Sequence, residues 1–270
     1  MNSYNWTGER LVTAIEDETA TEHLHRYGFV LNYCKGKIVV DIACGEGYGS
    51  ALIADIAQQV TGIDIDQDVV KFAQSKYQKN NLRYLQGSAD NIPLADASVD
   101  IVVSFETIEH HDKHDEMLAE IKRILKPDGI VIISTPDKRY YSDERNFSNH
   151  FHVKELTRKE FGDLLDRYFK NTQILFQRIS YGSLIIPEEG EMQKFDLLSG
   201  NYTEIKKMEL KPFYNISISS DGVLPPVNAG FFDGSANLQS KIDAVYSSAS
   251  YRIGYSILQP FRKLKSIFGK

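Results

Sequence analysis

The stretch VVDIACGEGYGS (39–50) places three glycines directly after a run of β-branched residues. Gly45, Gly47 and Gly49 follow the strand candidate KIVVDIA (37–43) and lead into a segment with helical spacing. Glycine is favoured at such a turn because the backbone must bend tightly and let a ligand approach where a Cβ atom would collide. The loop alone is also compatible with a plain turn. Its G-x-G-x-G spacing differs from the G-x-G-x-x-G of pyrophosphate-binding loops.

Strand and helix patterns alternate on the carboxyl side of this loop. The further strand candidates are QVTGIDI (59–65), LRYLQGS (82–88), DIVVSFE (100–106) and GIVIISTP (129–136), and the helix candidates are SALIADIA (50–57), QDVVKFAQSKYQ (67–78) and HDEMLAEIKRIL (114–125). This alternation predicts parallel strands joined by right-handed crossovers, and the apolar character of the strands predicts that both faces of the sheet are covered. The fold class is therefore α/β, with a doubly wound sheet.

The length of 270 residues fits one α/β domain with appendages. We expect an N-terminal helical cover (1–35), the α/β domain (36–220) with an insertion at about 181–212, and an extended segment followed by a basic amphipathic tail (221–270). Insertions of this length usually serve as a lid or a partner surface.

The composition is that of a globular protein, with 42% hydrophobic and 25% charged residues. No secretory signal pattern is visible, and two cysteines suit a reducing compartment, so the sequence predicts a cytoplasmic location. A net charge of -6 disfavours a surface built for polyanions, which makes nucleic acid an unexpected partner.

An acidic residue ends the second strand candidate. Asp64 lies about 20 residues after the glycine loop, where a carboxylate can accept hydrogen bonds from both ribose hydroxyls of an adenosine. Asp64 could instead cap the next helix, as could Asp66. The glycine loop and Asp64 lie in register on consecutive strands, and this coincidence favours the ribose interpretation.

Four motifs in order resemble those of class I S-adenosylmethionine-dependent methyltransferases: D-x-A-C-G-x-G-x-G, G-I-D-I-D, GSADNIPLADASVDIVVS and RILKPDGIVIISTP. The resemblance covers roughly residues 36–180. It implies a seven-stranded, mostly parallel, Rossmann-like sheet that ends in an antiparallel hairpin made by residues 171–180 and 213–220. It also implies that S-adenosylmethionine is the cofactor.

The resemblance implies a cofactor site. In it Asp64 holds the ribose, Ile65 packs on the adenine, and Arg26 is a candidate partner of the cofactor carboxylate. Ser88 and Ala89 stand where the family commonly has Asp-Ala, so Asp90 or the Ser88 hydroxyl would have to replace that contact. The full set is Arg26, Asp41, Gly45, Gly47, Asp64, Ile65, Ser88, Ala89, Asp90 and Phe105.

The pattern E-x-x-E-H follows the fourth strand candidate, where catalytic groups of open α/β sheets lie. On one helical turn Glu106, Glu109 and His110 would converge. The pattern resembles metal-dependent quinone and small-RNA 2′-O-methyltransferases, and His152 resembles the later histidine of the RNA enzymes. The resemblance implies a divalent ion, Mg²⁺ or Mn²⁺, at these four residues. Without a metal, His110 is the predicted general base.

Segments at both ends resemble bacterial methyltransferases of surface-polysaccharide and lipopolysaccharide synthesis: WTGERLV and EHLHRYGFV near the start, and SISSDGVLPP and YRIGYSILQPFRKL near the end. The resemblance implies O-methylation of a sugar hydroxyl in a glycan or its precursor. The alternatives are an RNA 2′-O-methyltransferase, a quinone-type small-molecule O-methyltransferase and a cofactor-binding scaffold without activity.

The tail combines apolar residues at helical spacing with basic ones. Leu258, Phe261, Leu264 and Phe268 recur at helical intervals, and four of the last ten residues are basic. This pattern predicts either a helix on an anionic membrane surface or a docking helix for another protein or copy. The oligomeric state is not predictable from the sequence.

Overall fold

The computed structural model describes residues 10–14, 17–180 and 197–268, and among these it describes no side chain for Asn237 or for residues 259–268. The strands are β1 (Ile38–Ile42), β2 (Gln59–Asp64), β3 (Leu82–Gln86), β4 (Val99–Phe105), β5 (Leu125–Pro136), β6 (Asn171–Gln177), β7 (Leu198–Gly200), β8 (Ile205–Lys207) and β9 (Tyr214–Ser220). The α-helices are α1 (Glu18–Cys34), α2 (Tyr48–Ile53), α3 (Gln67–Lys76), α4 (His114–Ile124), α5 (Arg158–Leu165), α6 (Ser235–Ser247) and α7 (Ala249–Phe268).

Seven strands form one sheet in the order β3-β2-β1-β4-β5-β9-β6. Neighbours from β3 to β5 pair in parallel, whereas β9 pairs antiparallel with both β5 and β6. The predicted seven-stranded, mostly parallel sheet with its antiparallel hairpin is confirmed. Strand order reverses between β1 and β4, and such a switch point opens a crevice at the carboxyl ends of the strands.

The core has two layers, one on each face of the sheet. Val40 and Ile42 face a cluster that includes Phe161 of α5, whereas Val39 faces Tyr27 of α1 on the other side. This alternation follows from the two-residue period of a strand. The sheet is therefore covered on both faces, as its apolar strands predict.

Helix α1 lies over the carboxyl end of the sheet and contributes Thr19, His23 and Tyr27 to the cavity lining there. Asp17 caps its first turn, accepting a hydrogen bond from the amide of Ala20 at 3.1 Å. The cap stabilises the first turn, but most of the stability of a helix comes from packing of one face. Helix α1 buries Tyr27, Val30 and Cys34.

One segment differs from the sequence-based expectation, and another lies partly outside the described residues. The insertion predicted at about 181–212 lies outside the described residues up to 196, and its described part contains the exposed hairpin β7-β8. The segment expected to be extended up to 238 becomes helical at Ser235, the start of α6. Within the described residues, no helix is both long and apolar enough to cross a membrane.

Candidate active site

A cavity of about 470 Å³ opens at the carboxyl ends of β1, β2 and β4, under helix α1. Its volume lies within the range of about 300 to 1,000 Å³ that is usual for small-molecule sites. Seven of the predicted cofactor residues line it: Gly45, Asp64, Ile65, Ser88, Ala89, Asp90 and Phe105. Three predicted residues do not line it, namely Arg26, Asp41 and Gly47.

The glycines of the loop serve different purposes. Gly45 has φ +54°, and a Cβ atom there would lie 4.0 Å from its nearest neighbour, so it leaves open space toward the cavity. Gly47 has φ +86°, and a Cβ atom there would lie 2.6 Å from the hydroxyl of Tyr84. Gly45 therefore places no side chain between the loop backbone and the cavity, whereas Gly47 lets the loop pack closely on Tyr84 of β3.

Asp64 is buried at the cavity wall and organises the backbone around it. Its carboxylate accepts hydrogen bonds from the amides of Gly45 at 3.1 Å and Asp66 at 3.0 Å, and from Arg10 at 3.2 Å. Asp66, not Asp64, caps α3 by accepting from the amide of Asp68 at 2.9 Å. The capping alternative for Asp64 is therefore wrong. Ile65 is 65% exposed, an apolar surface available to an adenine ring.

A charged carboxylate, that of Asp90, lies in the loop that follows the third strand. Ser88 donates a hydrogen bond to Asp90, and Lys113 bonds the other oxygen of Asp90 at 2.5 Å. These two hydrogen bonds lower the pKa of Asp90 to about 2. Asp90 is thus an ionised acceptor at the wall beside Ser88, where the sequence left open which of the two would replace the missing contact.

Asp41 lies beneath the glycine loop, not in the cavity. Its carboxyl group accepts hydrogen bonds from Ser50 at 2.7 Å and from the Tyr27 hydroxyl at 3.3 Å. Burial raises the pKa of Asp41 to about 7, against these two hydrogen bonds, which lower it. The predicted cofactor residue Asp41 therefore acts through the loop, since it ties the loop helix α2 to α1.

Arg26 does not point at the cavity, so its predicted role as partner of the cofactor carboxylate has no geometric basis here. Its fully buried guanidinium lies 3.2 Å from Glu106 and donates to the Gln177 side chain at 3.0 Å. It also stacks over the Tyr214 ring, 4.7 Å from the centroid. The Glu106 carboxylate is the ion-pair partner of this buried charge, and Glu22 also attracts it, because an unpaired buried guanidinium is costly.

The E-x-x-E-H segment does not form the single α-helical turn that the sequence predicts. A 3₁₀ turn covers Ile108–His110, and Glu106 precedes it with φ +50°, in the left-handed region. Glu106 lines the cavity, but its carboxylate accepts from Ser134 at 2.5 Å and pairs with Arg26. Because of this turn, Glu106 does not share a ligand cluster with Glu109, which corrects the predicted four-residue metal set.

Three of the four predicted metal residues do converge. Potential ligand atoms of Glu109, His110 and His152 all lie within 4.8 Å of one another. Glu109 is buried, its Oε1 has no hydrogen-bond partner, and burial together with nearby Glu106 raises its pKa well above the usual range. A buried carboxylate oxygen without a partner is costly, and a cation would supply one.

The two histidines of this cluster have defined environments. Glu155 lies 2.6 Å from His152 Nδ1, and the carbonyl of Phe151 lies 3.1 Å from His110 Nδ1. Acceptors on Nδ1 keep its proton there and make Nε2 the electron-pair donor, which is the usual arrangement of metal-binding histidines. Nε2 of His152 lies 2.9 Å from the Asn149 side-chain amide, so a bound ion would replace this hydrogen bond. The residues present therefore fit a divalent metal of the Mn²⁺ or Zn²⁺ type.

His23 and His111 are among the cavity residues that the sequence reasoning missed. His23 on α1 lies 3.0 Å from the Tyr48 hydroxyl, and burial lowers the pKa of His23 well below its usual range. His111 also lines the cavity, and neither of its ring nitrogens has a hydrogen-bond partner among the described residues. The four-residue spacing of Thr19, His23 and Tyr27 could have indicated one cavity-facing side of α1.

Comparison with known proteins agrees with this architecture. Residues 40–133 match the family model described as a methyltransferase domain. A probable S-adenosylmethionine-dependent methyltransferase of Mycolicibacterium smegmatis is 37% identical over 163 residues, which cover 59% of this chain and 63% of that protein. An O-methyltransferase of Aspergillus nomiae is 32% identical over 123 residues, which cover 43% of this chain and 55% of that protein.

A solved structure shows the same fold. The S-adenosylmethionine-dependent methyltransferase from Thermotoga maritima superposes with a TM-score of 0.54 at 20% identity, covering 75% of this chain and 90% of that one. The sheet order and this superposition show that the chain has the fold of class I S-adenosylmethionine-dependent methyltransferases. More particularly, residues 40–133 match the methyltransferase-domain model, while the chain spans less than two thirds of the length of these two curated relatives.

Proposed function

We propose that the protein transfers the methyl group of S-adenosylmethionine to a hydroxyl group. The observation that carries the proposal is the cavity itself, where Gly45, Asp64 and Ile65 meet at one end and Glu106 and His110 at the other. The first group suits an adenosine, since it offers a backbone without a side chain at Gly45, a carboxylate for the ribose and an apolar side chain for the base. The second group suits proton transfer.

The reaction needs a site for one proton. As the acceptor oxygen attacks the methyl carbon, the carbon–sulfur bond breaks, the sulfonium becomes a neutral thioether, and the hydroxyl proton must leave. Without a bound metal, His110 is the proposed base, because its Nδ1 faces the Phe151 carbonyl and its Nε2 is then the basic nitrogen. With a metal bound, the same nitrogen would be a ligand, and the ion would ease the loss of the proton from the coordinated hydroxyl to solvent. The O-methyltransferase of Aspergillus nomiae among the relatives supports this reaction class.

A divalent metal at Glu109, His110 and His152 is the second element of the proposal. The ligand atoms lie close enough together, and the unpartnered Oε1 of buried Glu109 would gain a partner. When bound, such an ion lowers the pKa of a hydroxyl that coordinates it. Glu106 stays outside this set and borders the cavity with its charge held by Arg26.

We propose a sugar hydroxyl of a bacterial glycan or glycan precursor as the acceptor. Asp112 and Lys113, charged residues of the cavity lining, suit a polyol that offers many hydroxyls. The resemblance of both ends of the chain to enzymes of surface-polysaccharide synthesis supports the same class. RNA is the second candidate for the cluster, although a net charge of -6 disfavours it.

The test is transfer of a labelled methyl group to sugar nucleotides, oligosaccharides and RNA, with and without a chelator. We expect labelled oligosaccharide or sugar nucleotide, and activity that falls in the chelator and returns with Mn²⁺. Labelling of RNA alone would refute the sugar acceptor. Full activity in the chelator would refute the metal and leave His110 as the base, which a His110→Ala variant then tests.

A further inference from the structure

We propose that helix α7 (Ala249–Phe268) binds the surface of an anionic membrane and lies parallel to it. This inference is independent of the proposed function, since it rests on the tail and not on the cavity. It names one partner, a lipid surface, for an apolar helix face that the described residues leave uncovered.

The described part of α7 exposes apolar side chains on one side. Ile253 and Ile257, one turn apart, are each 61% exposed, and Val245 at the end of α6 is 59% exposed. The sequence repeats the same spacing with Phe261 and Leu264, whose side chains lie outside the described residues. A contiguous exposed apolar face of this kind normally marks an interaction site.

The charge of the tail selects the partner. Residues 249–270 contain five basic and no acidic residues, so their net charge is +5. The whole chain has a net charge of -6, so the other 248 residues have a net charge of -11. Helices with a basic side and an apolar side bind in the interface plane of anionic membranes. Two copies of this helix would bring their like charges together, which disfavours self-association through the same face.

The segment that precedes α7 in the chain contacts helix α1 at two places. Lys241 of α6 forms an ion pair with Glu18 of α1 at 3.0 Å, and Tyr33 of α1 donates to the carbonyl of Pro226 at 3.2 Å. Membrane binding through α7 would therefore hold the methyltransferase domain beside the lipid surface. A lipid-linked acceptor would meet the enzyme there.

Sedimentation of the full-length protein with vesicles tests the inference. We expect binding to vesicles of phosphatidylcholine with phosphatidylglycerol, weak binding to phosphatidylcholine alone, and release by salt. Each basic residue near an anionic surface strengthens partitioning about fivefold, so Arg262→Gln with Lys263→Gln should weaken it roughly 25-fold. Ile253→Gln with Ile257→Gln should abolish it, because the apolar face anchors the helix.

Matched controls use the exposed hairpin β7-β8. Lys206→Gln with Lys207→Gln removes the same charge, and Leu198→Gln with Ile205→Gln removes comparable exposed apolar surface. Both controls should bind vesicles like the unmodified protein. Equal loss in the controls, or no sedimentation with anionic vesicles, overturns the proposal. Dimers that dissociate in the Ile253/Ile257 variant without any vesicle binding would also overturn it and assign the face to a second copy.

Discussion

Replacement of Arg26 by Met tests the buried ion pair that joins the helical cover to the tip of β4. The Arg26 side chain is fully buried and that of Glu106 is 16% exposed. Removing one partner of a buried pair costs about 3 to 5 kcal/mol, because it leaves a desolvated charge. Glu106 keeps the Ser134 hydroxyl as donor and some solvent, so we expect the lower end, about 3 kcal/mol. For a chain of this size that is a fall in Tm of roughly 6 to 12 °C.

The assay is urea unfolding followed by far-ultraviolet circular dichroism, with Arg167→Met as the matched control. Arg167 pairs with Asp115 at 3.0 Å, but both side chains are more than half exposed, so its loss should cost less than about 1 kcal/mol. The double variant Arg26→Met with Glu106→Gln should be more stable than the sum of the single losses predicts. Additive losses, or an Arg26 variant no less stable than the Arg167 control, would contradict the reasoning.

Three further predictions concern single carboxylates. Asp64→Asn should weaken binding of S-adenosylmethionine roughly thirtyfold in isothermal titration, since one lost charge-assisted hydrogen bond is worth about 2 kcal/mol. Asp66→Asn, an equivalent change at a helix cap, should leave that affinity unchanged. Glu155→Gln should weaken Mn²⁺ binding by roughly 10- to 100-fold, because Glu155 orients a histidine of the cluster; an unchanged affinity would count against the metal site. Glu22, whose pKa is raised by burial from 4.5 to about 7, stays protonated in the folded protein while it ionises in the unfolded chain. The unfolding free energy should therefore fall between pH 4.5 and 7, by at most about 1.4 kcal/mol per pH unit, and level off above pH 7. Urea titrations at each pH measure this fall, and Glu22→Gln should remove it.

The sheet and the proposed cofactor end of the cavity were largely predictable from the sequence. Apolar runs separated by helical patterns specify parallel strands, and Gly45, Asp64 and Ile65 come together because they end neighbouring strands at one edge. Local signals decide these features. A ligand site built from the ends of consecutive strands therefore leaves a readable pattern.

The proposed acceptor side was less predictable because its geometry depends on contacts between distant residues. Arg26 and Glu106 lie 80 residues apart in the chain, and no local pattern links them. The left-handed backbone at Glu106 also has no sequence signal, since a non-glycine residue rarely adopts it. This one turn separates Glu106 from Glu109 and reduces the predicted four-residue metal set to three.

The most direct test of the central claim is a crystal structure of the protein with S-adenosylhomocysteine and Mn²⁺. We expect the ribose hydroxyls on Asp64, the adenine against Ile65, and the sulfur directed toward the end of the cavity that holds Glu106 and His110. We also expect the ion between Glu109, His110 and His152. Cofactor bound outside this cavity, or a ribose with no contact to Asp64, would contradict the account.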